Sequence, residues 1–379
     1  MRILHFCLQN NDSADVTSKY LSALLSLMAH EAEVRLITNG NNYQKQAEEF
    51  KPDLVHIHDC WNRTSALMAK WAHGQNIPVV VSPHGKMDPW CVDHNYLNEK
   101  LPKLLLFQHE MICNADAIIV EGEIEQRSMQ ELSWNNKVQA RHPWNKRIEL
   151  IRNSIVSNEI TNEEMVRQTL RLYRKVIDSN AWMLMTKDTR EAEDILLMVG
   201  VAHHENDIHL DERQHSLVEA LTDEEWRRLL IHADEENVLN LVEKAISRLH
   251  LNAPDINIAT ISRFAPRLPK ARQPLEREKL LDSTLTTKFK HLRHDYGNCP
   301  ELTICRMIAN TAYEMQKATL SRKHLTEIYE LFRYEEFDED KLARMLKDAG
   351  LYDYTLTLQQ TLASMLMLTE GFMPLLSTK

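Results

Sequence analysis

The sequence predicts an α/β protein: a doubly wound, Rossmann-like parallel sheet in the N-terminal half, followed by a mainly α-helical C-terminal domain. Three observations carry this. Up to about residue 152, short apolar runs at 2–8, 33–38, 54–58, 79–82 and 117–121 alternate with amphipathic stretches near 17–30, 62–73, 97–113 and 123–132. Strands separated by helix-length segments pair in parallel through right-handed crossovers. Beyond Asn153 the strand pattern nearly vanishes and helix-start signals take over. Glycine is also scarce, with 8 in 379 residues, where average usage gives roughly 27. Only Gly200, Gly297, Gly350 and Gly371 lie beyond residue 150, so the second half has few places where backbone can take positive φ or approach a phosphate closely. The expected domains are 1–155 and 156–379.

The segment from Val79 through Ser82, Pro83, His84 and Gly85 to Trp90 is the most informative element of the first half. It drives a buried β-branched strand into a proline-pinned turn at the strand's C-terminal end, where open α/β sheets bind ligands. In the second half, Thr161, Asp188 and Thr222 each stand three residues before a glutamate, the reciprocal pattern that satisfies orphan N–H groups at a helix start. Gly200 and Gly350 fall where helices are expected to stop. Helical periodicity continues over 237–249, 301–317, 322–332, 339–349 and 355–368, interrupted by a loop at 252–276 that holds Pro254, Pro266, Pro269 and Pro274.

Composition narrows the function. A net charge of −10 argues against nucleic acid as partner, which needs a surplus of Lys and Arg to displace counterions. Six scattered cysteines without a C-x-x-C pair read as reduced thiols rather than a disulfide framework. No apolar run reaches the roughly 18 residues of a spanning helix, and the opening run at 2–8 is short, carries His5 and has no cleavage site behind it. The expected location is cytoplasmic, with peripheral contact at the inner membrane face as the most the sequence supports.

If the first half is doubly wound, the strand ends bring polar residues to one crevice: Gln9 and Asn10; Thr38 and Asn39; His58, Asp59 and Trp61; Ser82 and His84; Glu121 and Glu123. Period-two alternation puts His56 and His58 on one side of their strand and Val55 and Ile57 on the other. His56 reads as a hydrogen-bonded core histidine; His58, one step from the edge, is balanced between core and site. No third ligand follows from spacing, so no metal site is expected. His84 differs, because Pro83 fixes the backbone entering it and Gly85 frees the backbone leaving it. An imidazole so presented suits a ligand hydroxyl or a reacting centre near neutral pH. Asp88 and Trp90 add a carboxylate and a ring, a pair that suits a sugar's hydroxyls and apolar face, although Trp90 also suits a hydrophobic anchor for the next helix.

Taken in order, these segments resemble the N-terminal domain of the retaining family-four glycosyltransferases of the GT-B fold. The matching pieces are residues 1–5; Pro52 to His58 with Trp61; Ser82 to Trp90; Asn114 to Val120 with Glu125; and Ile148 to Asn153. The resemblance implies an N-terminal domain that binds the acceptor, a sugar or lipid-linked sugar, in bacterial surface polysaccharide or glycoconjugate assembly. It implies His84 near the transferred sugar and Asp88 and Trp90 near the acceptor; joined to the strand-end crevice, this makes His84 the expected catalytic residue and His58, Asp59, Trp61, Ser82, Gly85, Asp88, Trp90 and Glu121 the expected substrate-binding ones. A nucleotide sugar is the implied donor, and no other cofactor is expected. Departures are plain: residues 7–13 contain no glycine, Asn153 precedes Ser154 rather than glycine, and the donor domain's Gly-Arg turn, Arg and Lys pair and paired glutamates are not found after Asn153.

Two readings stay open. The chain is an active glycosyltransferase whose donor domain is replaced by the helical half or supplied by another protein. Alternatively it is an inactive homologue that binds or scaffolds through its helical half, where Met365 to Leu368 offers a stripe that fits a core or a contact surface. The stretch 97–107, with Lys137, Arg141, Lys146, Arg147 and Arg152, suits either anionic lipid or plain sheet covering.

Overall fold

A computed structural model describes residues 1–8, 16–131, 147–264 and 274–375. The glycine-free loop after the first strand, Lys137, Arg141, Lys146 and the proline-rich stretch around Pro266 and Pro269 lie outside them. The chain divides into two compact units, one of residues 1–184 with a returning segment from 260, the other of 185–259 with the remainder of the chain.

The first unit is built on six strands: β1 (Arg2–Phe6), β2 (Glu33–Ile37), β3 (Leu54–Ile57), β4 (Val79–Val81), β5 (Ala117–Val120) and β6 (Ile148–Leu150). They lie in the order β2-β1-β3-β4-β5-β6, and every pairing is parallel. Their helices are α1 (Val16–Met28), α2 (Tyr43–Phe50), α3 (Arg63–Gly74), α4 (Pro89–Asp93), α5 (96–114), α6 (Glu123–Glu131), α7 (Asn162–Asp178) and α8 (Ala181–Leu184). Two apolar layers follow from the strand alternation. On one face Val55, Ile57, Val79 and Val81 pack with Phe50, Met68 and Met111 of α2, α3 and α5. On the other, Ile3, Leu54 and Val80 pack with Tyr20, Leu24 and Met28 of α1 and Val166, Tyr173 and Val176 of α7.

The doubly wound parallel sheet is thus as expected, and the helix-rich second half with it. α2 has no counterpart in the sequence reading, where its short Tyr-Gln-Lys-Gln-Ala-Glu-Glu-Phe run looks polar; only Ala47 and Phe50 are buried. The sheet unit also extends past residue 155, because α7 buries nine residues, among them Met165, Leu170 and Tyr173, and so covers the sheet. Near the unit's end Phe264 returns: its N–H donates to Ser179 Oγ at 2.8 Å, and Lys175 Nζ sits 3.9 Å from its ring centroid.

α5 is helical but uneven. It widens to π geometry at Tyr96–Lys100 and at Leu104–Gln108, on either side of a turn holding Pro102, which has no N–H to donate.

The second unit is all helical among the described residues: α9 (Lys187–Val201), α10 (Glu212–Glu219), α11 (Asp223–Glu235), α12 (Leu239–Leu249), α13 (Thr286–Tyr296), α14 (Pro300–Gln316), α15 (Arg322–Tyr334), α16 (Glu339–Ala349) and α17 (Tyr352–Leu366). Thr222 caps α11 in a reciprocal box with Glu225, and Gly350 ends α16 at φ +76°, both as the sequence suggests. Two signals differ in detail. Thr186, not Asp188, caps α9, its hydroxyl accepting from Thr189 N–H at 3.0 Å. Gly200 does fall at the end of α9, one residue before Val201 closes it, but without a glycine cap's positive φ; α12 crosses there so closely that a Cβ would stand 2.2 Å from the Leu241 carbonyl oxygen. Buried Glu193 accepts from His232 Nδ1 at 2.7 Å and is ion-paired with Arg322, whose Nε lies 3.1 Å from its other oxygen, which ties α9, α11 and α15 together.

No helix among the described residues is long and apolar enough to cross a membrane.

Candidate functional site

The carboxyl ends of β1, β3, β4 and β5 assemble two adjoining groups of polar side chains. The first is a buried line of imidazoles. β1 and β3 pair with His5 opposite His56, and period two carries His5, His56 and His58 to the face covered by α1 and α7. His5 Nδ1 lies 2.8 Å from His58 Nε2, and His58 Nδ1 lies 3.1 Å from His84 Nε2. His84 Nδ1 reaches Glu121 Oε1 at 2.6 Å, and Asn153 Nδ2 donates to both Glu121 oxygens at 3.2 Å. His56 is bonded separately, to the Tyr173 hydroxyl through Nδ1 and to Ser82 Oγ at 2.7 Å through Nε2.

Burial sets the charge state of these rings. It drives the His5 imidazole down to about 3. It also holds His56 and His58 well below the usual histidine range, with the neighbouring imidazoles adding to the effect. The same burial, helped by Glu121, pushes the Tyr20 hydroxyl up, and its ring meets His84 edge-on with centroids 5.2 Å apart. Nitrogens of His5, His56 and His58 lie within 4.8 Å of one another, the one such set of possible metal ligands among the described residues. Zinc with nitrogens at about 2.0–2.1 Å brings its ligands within roughly 4 Å of each other, so these rings would have to close in and give up bonds to Tyr173, Ser82 or each other.

His84 has φ +53° and Gly85 φ +77°. The left-handed backbone costs a non-glycine residue about 1–2 kcal/mol, and the ring's two bonds help offset it. Its side chain is only 6% exposed, so neither ring nitrogen is open to the crevice. The turn closes with Lys86 N–H donating to Pro83 O at 3.2 Å.

The second group lines an open pocket of about 360 Å³ formed by Asp59, Cys60, Trp61, Asn62, Lys86, Trp90, Cys91, His94, Lys100 and Lys103. Asp59 accepts from Lys86 Nζ at 2.7 Å and from Cys60 N–H at 2.8 Å. Trp61, at φ +63°, is pinned by Gln108 Oε1 on its N–H at 2.7 Å and by its own Nε1 donating to Lys86 O at 3.0 Å. Lys100 Nζ stands 5.2 Å from the Trp61 ring centroid. Trp90 is 72% exposed and so leaves its ring free to stack. Behind the turn, buried Glu125 accepts from Met87 N–H at 3.2 Å, and desolvation lifts its carboxyl to about 7.

Of the residues singled out from sequence, His58, His84 and Glu121 meet in the buried line, while Ser82 is bonded to the separate His56. Asp59, Trp61 and Trp90 meet in the pocket. Asp88 precedes α4 without capping its backbone N–H groups, and its carboxylate is hydrogen-bonded to the Trp90 side chain. Sequence reading missed His5 and Tyr173 as site residues, although His5 shares the period of Ile3 and Cys7, and it did not place Lys86, Lys100 and Lys103 at the pocket.

Residues 19–144 match the family model of the Glycosyl transferase 4-like domain. No curated protein and no solved structure gives a match. The match spans α1 to the region beyond α6, and with it the turn at His84 and the pocket. Over residues 19–144 the N-terminal half of this chain is therefore similar to the Glycosyl transferase 4-like domain.

Proposed function

We propose that the chain takes part in glycosyl transfer to a sugar or lipid-linked sugar acceptor, in the assembly of a surface polysaccharide or glycoconjugate, with a nucleotide sugar as donor. The observation that carries this reading is the pocket at the strand ends of a glycosyl transferase 4-like domain, with two tryptophans, a carboxylate and three lysines around one opening. Exposed Trp90 suits a sugar's apolar face above the buried floor that Trp61 forms, Asp59 suits its hydroxyls, and Lys86, Lys100 and Lys103 suit the phosphates of a lipid-linked acceptor. His84, two residues before Lys86 of the pocket lining but not itself part of it, is the proposed residue next to the transferred sugar. Its Nε2 reaches a hydroxyl only by giving up the bond to His58.

Leu97, Leu105 and Leu106 are 72, 76 and 77% exposed on α5 beside Lys100 and Lys103. That mixture fits peripheral contact with an anionic lipid surface, where a lipid-linked acceptor is found. The test is transfer from UDP- and GDP-sugars, supplied at concentrations that saturate even weak donor binding, to lipid-linked oligosaccharides by the purified chain and by His84→Ala. Transfer lost in the variant supports the reading. Acceptor binding without transfer under any pairing would replace it with a binding or scaffolding role.

A further inference from the structure

With Glu121 a carboxylate and the three rings neutral, the hydrogen bonds at the sheet edge have one consistent direction. Glu121 as a carboxylate has acceptors alone, and Asn153 Nδ2 already donates to both its oxygens. His84 Nδ1, 2.6 Å away, therefore carries a hydrogen. In a neutral ring that leaves Nε2 bare, and the group facing it is His58 Nδ1 at 3.1 Å, which must donate. His58 Nε2 is then bare and accepts from His5 Nδ1 at 2.8 Å. The line ends at His5 Nε2, which is buried and has no hydrogen-bond partner. This polarity leaves a lone pair there. The opposite polarity has one more proton: the carboxyl is protonated, each ring carries its hydrogen on Nε2, and a buried N–H is left without an acceptor.

We propose that His5, His58, His84 and Glu121 act as one polarised hydrogen-bond line in which Glu121 dictates the tautomer of all three rings. Glu121, His58 and His5 are then positioning residues for His84. The line links a carboxylate at the crevice to a ring in the sheet core on another strand. A neutral histidine in water favours hydrogen on Nε2, so three rings with hydrogen on Nδ1 are a distinctive signature. The link to transfer rests on the proposed transferase reading; the tautomers do not.

The experiment is two-bond ¹H–¹⁵N correlation spectroscopy of the full chain labelled with ¹⁵N-histidine near pH 7.5, without substrate. His5, His58 and His84 are expected as Nδ1–H in the wild type. They should stay so in Glu121→Gln, which keeps an acceptor oxygen. In Glu121→Ala all three are expected to switch to Nε2–H, while His5→Leu leaves His58 and His84 unchanged, because direction is set from the carboxylate end. Nε2–H at His84 in the wild type overturns the proposal. So does a folded Glu121→Ala in which only His84 changes. Should that variant not fold, the wild type and His5→Leu still decide. In a transfer assay kcat should drop in Glu121→Ala and return in Glu121→Gln; absence of transfer by the wild type counts against the transferase reading and leaves the spectra to judge the line.

Discussion

The hydroxyl of Tyr173 is hydrogen-bonded to Nδ1 of His56 across 117 residues of sequence. The bond joins α7 to the middle of the sheet and makes a residue beyond the expected domain boundary part of the sheet's buried polar layer. Tyr173→Phe keeps the ring and strands one buried nitrogen of His56. The expected loss is about 1–3 kcal/mol, read as a lower urea midpoint with unchanged slope; an unaltered midpoint would mean the hydroxyl contributes nothing net.

Acid should destabilise this protein early. His5, His56 and His58 are held below their ordinary pKa by burial. The unfolded chain therefore binds three protons below about pH 6.5 that the folded chain refuses, and stability is lost as pH falls. Glu125 acts oppositely. Its folded carboxyl sits at about 7 against 4.5, so its contribution is full below about pH 4.5 and is lost as pH rises towards 7. Counting these four groups, stability should drop by about 3 kcal/mol per pH unit between roughly pH 5.5 and 4.5. Glu125→Gln should steepen that to about 4. Urea titrations at closely spaced pH values measure both slopes, and a wild-type profile flat from pH 7 to 5 would show that the rings protonate within the fold.

Trp90 contributes exposed surface rather than core. Trp90→Ala should leave stability within about 0.5 kcal/mol and weaken a saccharide acceptor about tenfold, by calorimetry or as a rise in KM. Unchanged affinity removes the ring from the proposed pocket.

Gly200→Ala should cost the helical unit about 3 kcal/mol or more, because the backbone of α12 rather than a movable side chain occupies the space. A thermal melt of the full chain, read by far-ultraviolet circular dichroism, should show a depressed transition. An unchanged melt would mean the two helices separate without penalty.

Titration with UDP- and GDP-sugars should show weak binding or none by this chain alone. The expectation follows from the scarcity of glycine and the run of helices beyond Asn153, which offer little backbone for a phosphate cradle. Micromolar affinity in a calorimeter would place a donor site where the sequence gives no sign of one.

The sheet was legible because its strands are short β-branched runs in a fixed rhythm. Five of them sit within a residue or two of their expected ends, down to Val79–Val81 in the centre. α7 was read as a helix by its Thr161 cap but not as part of the sheet unit, since periodicity tells which face is apolar and not what that face meets. His5 escaped for a related reason. A single histidine in an apolar strand carries no local signal, and it becomes meaningful only when β3 is laid beside β1. Gly200 marked the end of α9 as expected, but the close crossing of α12 that demands the smallest residue there has no local signal. The turn at His84 was visible in Pro83 and Gly85, while the inward aim of its ring depends on Glu121, 37 residues away.

The return of the chain at Phe264 has a consequence for synthesis. A ribosome that has released only the first 184 residues has made every strand of the sheet, yet not the aromatic brace against Lys175 and Ser179. Much of the helical unit must emerge before that last piece arrives, so the earlier unit stays unfinished while the later one is already being made.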